Sequence, residues 1–339
     1  DGLSPVTHLD GRGWFGMLPE IERPRVMDPS SGAIVTANNR LLPLPAADRI
    51  GRVWADGGRA WRIRAELDGR PVMTEWQLLS VQLDETIQRF IPYRDLLIDS
   101  LGGLESTLPG RDATLDLVVG WDGRASANDT ATPVVEMFRR TLQAEVRAML
   151  LERFAPSADA IEAEEITARS NAASAIRSST VLAAIEGRDP RILSPDGWRA
   201  ILEQGARTAV EIHLADPDTP WAERNRSRSP HPLGMAHPLV GDRFDLPAVR
   251  QPGHWGAVRV QSRGFGASAR FVASPGHLGD AILATPGGQS GRPRSPHYSD
   301  LHASWSEGAP EPLAPGPVRS TWTISPVAAD SDEADASRP

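Results

Sequence analysis

Two adjacent asparagines, Asn38 and Asn39, close the apolar run "GAIVTANN" and are the residues of this sequence best suited to chemistry. An apolar strand that ends in carboxamides can aim a side-chain NH₂ group at the oxyanion that forms when a carbonyl is attacked. Asparagine is also common in turns. From these residues alone, a turn at the end of a strand is the favoured interpretation, and an oxyanion donor is the alternative.

Two other groups of residues carry weaker chemical signals. Ser290 lies among glycines, but the G-x-S-x-G spacing of a nucleophile elbow fails because Arg292 stands two positions after it. His231 and His237 are six residues apart, each followed by proline, which does not place two imidazoles on one face of a helix. We expect loop structure at both histidines.

Two further matches also favour ordinary structure over a binding or catalytic site. "GRGWFG", residues 11–16, fits G-x-G-x-x-G, yet no apolar strand precedes it, so turn glycines are expected rather than a dinucleotide site. Ser170 and Asn171 resemble an exposed nucleophile, but the stretch has helical composition and the sequence places no base beside it. A helix surface or a helix start is the favoured interpretation there.

Composition excludes several classes of protein. The 339 residues carry a formal net charge of −8, which argues against binding to nucleic acid, since that requires clustered basic side chains. Cysteine is absent, so the chain has neither disulfides nor a thiolate metal site. No window approaches the roughly 18 consecutive apolar residues of a membrane span. We therefore expect a globular protein that binds neither nucleic acid nor a membrane.

Periodicity divides the chain into three regions. Residues 1–68 have the pattern of short strands and turns, with a strand at about 31–38, residues 74–214 are helical, and residues 257–285 contain strands again. Strands on both sides of a helical region predict one α+β domain. The acidic tail, residues 326–339, is predicted to be disordered.

Two helix starts are marked clearly in the helical region. Thr132 and Pro133 are predicted to be the N-cap and first-turn residue of a helix whose apolar residues recur every three or four positions. Ser194 and Pro195 are predicted to play the same parts for the helix that begins at "SPDGWRAIL".

Four segments together resemble one known family. They are "PSSGAIVTANNRLLP…GGRAWRI", "LVVGWDGRASANDTATPVVEMF", "GFGASARFVASPG" and "PGGQSGRPRSPHYSD". In this order they resemble the C-terminal part of the β subunit in the penicillin acylase family. The members of this family are N-terminal-nucleophile amidohydrolases. The resemblance implies a partial αββα four-layer fold over residues 1–325, with a helical insertion at about 74–214.

The resemblance also implies roles for particular residues. Asn38 matches the oxyanion-hole asparagine of the family, and Arg59 matches an arginine that lines the active site. Asp48 is the candidate ligand of the structural calcium that family members often bind; no cofactor is expected for catalysis. Ser290 falls in a structural loop of the family and receives no catalytic role.

The resemblance further implies partners and a location. The family's nucleophile is an N-terminal serine exposed by autoproteolysis, and it lies upstream of the matched segments, so we expect this chain to be a part of a precursor. It would then need the N-terminal part of the β subunit and the α subunit. The substrate would be an N-acyl compound such as a β-lactam side chain or an acyl-homoserine lactone, and the location periplasmic or extracellular.

A non-catalytic secreted binding module is the alternative from another class of protein. Ten tryptophans and several proline-rich loops suggest it, because tryptophan can stack on a ligand. Scattered tryptophans such as Trp54, Trp121 and Trp198 are more typical of a core.

Overall fold

The structure is a computed structural model, and it describes residues 16–51, 54–154, 178–237, 239 and 242–325. Over these ranges the chain combines a large helical unit with short strands near its C-terminal end. The α-helices are α1 (Gly58–Leu67), α2 (Glu75–Gln82), α3 (Ile91–Gly103), α4 (Arg111–Val119), α5 (Thr132–Phe154), α6 (Ser178–Gly187), α7 (Pro195–Ala215), α8 (Trp221–Arg224), α9 (Pro232–Ala236) and α10 (His302–Glu307). The strands are β1 (Gln261–Ser262), β2 (Phe265–Gly266), β3 (Arg270–Val272), β4 (Ile282–Ala284) and β5 (Glu311–Pro312).

The main core lies between α5 and α7, with α3 and α6 packed against them. Val135, Phe138, Leu142 and Val146 are fully buried on α5, at spacings of three and four residues that place them on one helix face. Gly205 of α7 lies against the Phe138 ring, and a Cβ there would stand 3.1 Å from two ring carbons. The helices can therefore approach closely at this crossing.

One of the two predicted helix caps is confirmed and the other is wrong. The Ser194 side chain accepts a hydrogen bond from the Gly197 N–H at 3.1 Å, as expected for an N-cap. Thr132 is instead the first residue inside α5. Two backbone N–H groups at this end that have no partner within the helix donate to the Asp129 carboxylate, from Ala131 at 3.1 Å and from Thr132 at 2.7 Å.

The prediction of only strands and turns before residue 68 is wrong. Helix α1 forms there, over "GRAWRIRAEL". The strand predicted at about 31–38 is also wrong, because these residues are described and none of them is in a strand. Among the described residues around this segment, the only pairing is a single bridge between Asn39 and Ala55. A strand needs a neighbouring backbone along its length, and this part of the described chain supplies one at a single residue.

The strands predicted within residues 257–285 are confirmed, although each is only two or three residues long. β1 and β2 form an antiparallel hairpin, and β3, β4 and β5 form an antiparallel sheet in that order. Val272 and Ile282 from this sheet pack against Leu79 of α2. The chain is thus mixed α and β, as expected.

Two of the scattered tryptophans are core residues, since Trp121 is 3 % exposed and Trp198 is fully buried. The acidic tail at 326–339 lies outside the described residues, so its predicted disorder stays a prediction. Within the ranges that the structure covers, no helix is both long enough and apolar enough to cross a bilayer.

Replacing Leu142 with Ala tests the α5–α7 core. Leu142 is fully buried, so the substitution should lower the free energy of unfolding by about 2–5 kcal/mol. Leu233→Ala is the matched control, because Leu233 is 55 % exposed and its loss should change the free energy by less than about 0.5 kcal/mol. Urea unfolding measures both, and equal effects of the two substitutions would contradict this core.

Candidate active site

The structure brings together the two site residues that the sequence singled out, Asn38 and Arg59. The Nη2 group of Arg59 donates to Asn38 Oδ1 at 2.9 Å and to the backbone oxygen of Ala37 at 3.0 Å. These residues are 21 positions apart, so the contact depends on the fold between them. A charged donor on Oδ1 fixes which way the Asn38 carboxamide faces.

The backbone at Asn38 adopts a conformation that few residue types accept. Its φ is +64°, in the left-handed region, where asparagine is one of the few residues other than glycine found regularly. The Asn38 backbone oxygen accepts from the Ala55 N–H at 2.9 Å. Asn38 is therefore held at a sharp bend rather than on an extended strand.

Asn39 uses its carboxamide locally. Its Oδ1 accepts from the Ala37 N–H at 2.9 Å, and its Nδ2 donates to the Arg40 backbone oxygen at 3.4 Å. By contrast, within the described part of the chain no acceptor reaches the Nδ2 group of Asn38. Of the two asparagines, Asn38 thus offers the free NH₂ donor that an oxyanion requires.

Helix α1 carries Arg59 in its first turn, and an ion pair fixes the start of this helix. Asp56 Oδ1 accepts from the Gly58 N–H at 3.1 Å, while Asp56 Oδ2 pairs with Arg89 Nη1. The Arg89 guanidinium lies 3.5 Å from the centre of the Trp255 ring. Burial lowers the pKa of Arg89, Asp56 opposes that change, and the nearby positive Arg139 adds to it.

A second ion pair holds the middle of α1. Arg62 lies 2.6 Å from Asp84 Oδ2, and Asp84 Oδ1 accepts from the Thr86 N–H at 2.6 Å. Burial raises the pKa of Asp84, but the hydrogen bonds from Arg62 and Thr86 outweigh it, so the net pKa is lower than usual. The helix that presents Arg59 is thereby fastened at two points.

A mostly apolar cavity of about 330 Å³ is bordered by Asn38 and Asn39. Val26, Ile34, Leu41 and Trp54 contribute to its wall. A small apolar group could therefore lie next to the free amide donor. An apolar cavity beside an N–H donor suits a substrate whose carbonyl carries an apolar substituent.

The other residues considered from the sequence do not join this site. Ser290 lies in a turn, where its N–H donates to the His297 backbone oxygen at 2.9 Å and its Oγ accepts from the Arg292 N–H at 3.2 Å. The imidazole of His231 accepts from the Leu233 N–H at 3.1 Å and caps the short helix α9. Both serve loop structure, as expected.

Several earlier candidates cannot be placed. Ser170, Asn171 and most of the 11–16 glycine motif lie outside the described residues, and so does the Asp48 side chain, although its backbone belongs to the 3₁₀ turn Ala46–Arg49. In the part of the chain that is described, no group of three or more acidic or histidine side chains could hold a metal ion. The calcium role of Asp48 stays a prediction.

Sequence reasoning missed Asp56 and Arg89. The segment "DGGRAWRIRAEL" did contain a signal for Asp56, since an aspartate two residues before the first helical residue commonly accepts a backbone N–H there. Arg89 left no such signal, because its partner lies 33 residues away.

Comparison with known proteins gives one consistent result. The profile of the family described as Penicillin amidase matches residues 1–316. Penicillin acylase 2 proenzyme from Pseudomonas sp. (strain SE83) is 28 % identical over 324 residues, covering 92 % of this chain and 40 % of the relative. Acyl-homoserine lactone acylase QuiP from Pseudomonas putida (strain KT2440) is 26 % identical over 340 residues, covering 91 % and 40 %. The chain thus spans about 40 % of the length of these relatives.

The Arg62–Asp84 pair predicts a pH dependence of stability. The pKa of Asp84 is lower in the folded chain than in the unfolded chain, so its contribution is present above about pH 5 and fades as the pH falls below about 4. Asp84→Asn should cost about 1.5–3 kcal/mol of unfolding free energy at neutral pH. Urea unfolding of the normal protein and of Asp84→Asn across this pH range measures the difference between their unfolding free energies. This difference should shrink in acid. A difference that does not change with pH would show that the ion pair contributes nothing through charge.

Proposed function

Because this chain belongs to the penicillin amidase family, we propose that it supplies the oxyanion-binding part of an enzyme that hydrolyses linear amide bonds of N-acyl compounds. The observation that carries the proposal is the Arg59 contact to Asn38 Oδ1, which leaves the Nδ2 group free. A carboxamide held in this way is prepared to donate before the substrate arrives. Preorganised donors of this kind account for much of the rate enhancement in acyl transfer.

In the proposed reaction, a serine Oγ from another segment of the parent protein adds to the amide carbonyl carbon. Asn38 Nδ2 donates to the oxygen as it gains negative charge, and the C–N bond then breaks with a proton passing to the amine. Water next attacks the acyl-serine ester, and the carboxylic acid leaves as the serine recovers its proton. Asn38 stabilises the oxyanion in both halves of the reaction.

The apolar cavity beside Asn38 favours an apolar group near the reacting carbonyl. Its volume of about 330 Å³ is near the lower limit of small-molecule sites, so it suits a compact acyl or amine substituent. The names of the relatives, penicillin acylase and acyl-homoserine lactone acylase, are compatible with such substrates.

We infer that the enzyme is completed by the rest of the α and β subunits, which would also complete an αββα layered core. Two observations support this proposal: the chain covers 40 % of its relatives, one of them named a proenzyme, and apolar side chains before residue 51 are widely exposed. Met17, Ile21 and Ile34 are 84 %, 95 % and 57 % exposed, which is unusual for a finished surface. A periplasmic or extracellular location and a structural calcium held by Asp48 belong to the same proposal.

A first test compares the 339-residue chain with the longer precursor that we propose contains it. The chain alone should not hydrolyse a chromogenic N-acyl amide, because it supplies the oxyanion donor without the nucleophile. The precursor should hydrolyse the same substrate. Turnover by the chain alone that Ser290→Ala abolishes would show that the nucleophile lies here and that the division of roles is wrong.

A second test concerns the precursor with Asn38→Ala. Loss of one oxyanion donor should lower kcat by roughly 10²–10³-fold. Asn39→Ala is the matched control and should act mainly on stability, because the Asn39 carboxamide bonds to its own loop. Processing of each precursor is checked first by gel electrophoresis, since an unprocessed precursor would imitate a catalytic defect. A near-normal kcat for Asn38→Ala, or a larger loss for Asn39→Ala, would place the donor elsewhere.

A further inference from the structure

A second cleft, of about 600 Å³, lies beside the first half of α5, with α8 and β1 on its other sides. It shares no lining residue with the cavity at Asn38. Its volume is in the range of small-molecule sites. The proposed hydrolysis does not use it, so its polar groups need their own explanation.

His254 forms part of the floor of this cleft and is only 2 % exposed. Burial lowers its pKa well below the usual value, and the charges of Arg89 and Arg139 lower it further, so the imidazole is neutral. Its Nδ1 accepts from the Gly256 N–H at 3.0 Å, which places the ring proton on Nε2.

Among the described residues, no acceptor lies within hydrogen-bond distance of the Nε2–H group of His254. The Glu136 Oε2 atom lies 3.7 Å away, beyond hydrogen-bond distance. Both Glu136 oxygens already accept from Arg139, at 3.0 and 3.1 Å. The cleft therefore has a donor that Glu136 does not engage within hydrogen-bond distance.

Asn225 adds an unused acceptor to the same cleft and is 4 % exposed. Its Nδ2 donates to the backbone oxygens of Gln251 and Gly253, both at 3.1 Å, which fixes the carboxamide. Among the residues that the structure describes, no donor reaches Asn225 Oδ1. A donor and an acceptor that line the same cleft match the C=O and N–H of an amide.

The walls of the cleft favour an anion with a flat ring. Four arginines line it, but Arg139 pairs with Glu136 at 3.0 Å and Arg224 pairs with Asp216 at 2.8 Å. The uncompensated positive charge of the cleft therefore comes from the other two, Arg140 and Arg263. Arg140 and Arg263 form no ion pair with any described residue and are exposed. Trp255, which is 40 % exposed, and Trp221 offer aromatic surface. Guanidinium groups bind carboxylates well, and indole rings stack on planar groups.

We propose that this cleft is a second binding site, which takes a small carboxylate that carries an amide and an aromatic ring. The arginines bind the carboxylate, His254 and Asn225 bind the amide, and the tryptophans contact the ring. The site is separate from Asn38 and Arg59, so it does not depend on the proposed amide hydrolysis.

Hippurate, which is N-benzoylglycine, is a suitable probe because it has all three groups. Titration calorimetry with the 339-residue chain should show saturable binding at one site with a sub-millimolar Kd. Hippuramide, the uncharged analogue, should bind at least about tenfold more weakly, because it lacks the charge that the arginines recognise. This comparison needs no substitution in the protein and therefore carries no risk of misfolding.

Substitutions locate the binding. Arg263→Gln should weaken hippurate binding about tenfold, whereas Arg319→Gln, a matched change of an exposed arginine outside the cleft, should leave it unchanged. Asn38→Ala should also leave it unchanged. No saturable binding, equal binding of hippurate and hippuramide, no effect of Arg263→Gln, or loss of binding in Asn38→Ala would each overturn the proposal.

Discussion

The hydrogen bond from Arg59 Nη2 to Asn38 Oδ1 is the interaction on which the candidate active site depends. A carboxamide can turn either its oxygen or its NH₂ group toward a substrate, and only the NH₂ group stabilises an oxyanion. A positive donor on Oδ1 removes this ambiguity. The backbone at Asn38 is left-handed, with a φ of +64°, a conformation that asparagine accepts more readily than most residues.

The large helical unit holds the Arg59–Asn38 contact in place through α1. Asp56 and Arg89 fix the first turn of the helix, and Asp84 holds it through Arg62. Arg89 itself precedes α3 and is followed directly by Phe90, which is fully buried in the main core, so the start of α1 is attached to the packed core of the protein. Rigid support of this kind matters because a misplacement of about 1 Å can cost a hundredfold in rate.

The sequence predicted the parts of this structure that local patterns determine. The spacing of Val135, Phe138 and Leu142 predicted α5, and Ser194 marked the start of α7. Helix α1 was missed, although Asp56 stands at its start, because "GGRAWRI" begins with two glycines and lacks a strong apolar repeat. The Asn38–Arg59 contact could be expected only from the resemblance to a family, since no periodicity joins residues 21 positions apart. A strand at 31–38 was expected from an apolar run, but strands also need a partner backbone.

A double-mutant cycle on kcat of the processed precursor tests most directly whether Arg59 acts by orienting Asn38. Arg59→Met is made alone and together with Asn38→Ala. If Arg59 only orients the carboxamide, Arg59→Met should lower kcat strongly when Asn38 is present. When Asn38 is alanine, the same substitution should lower kcat by less than about twofold, because no amide remains to orient. If Arg59→Met lowers kcat by the same factor in both backgrounds, the two residues act independently, and the orienting role is contradicted.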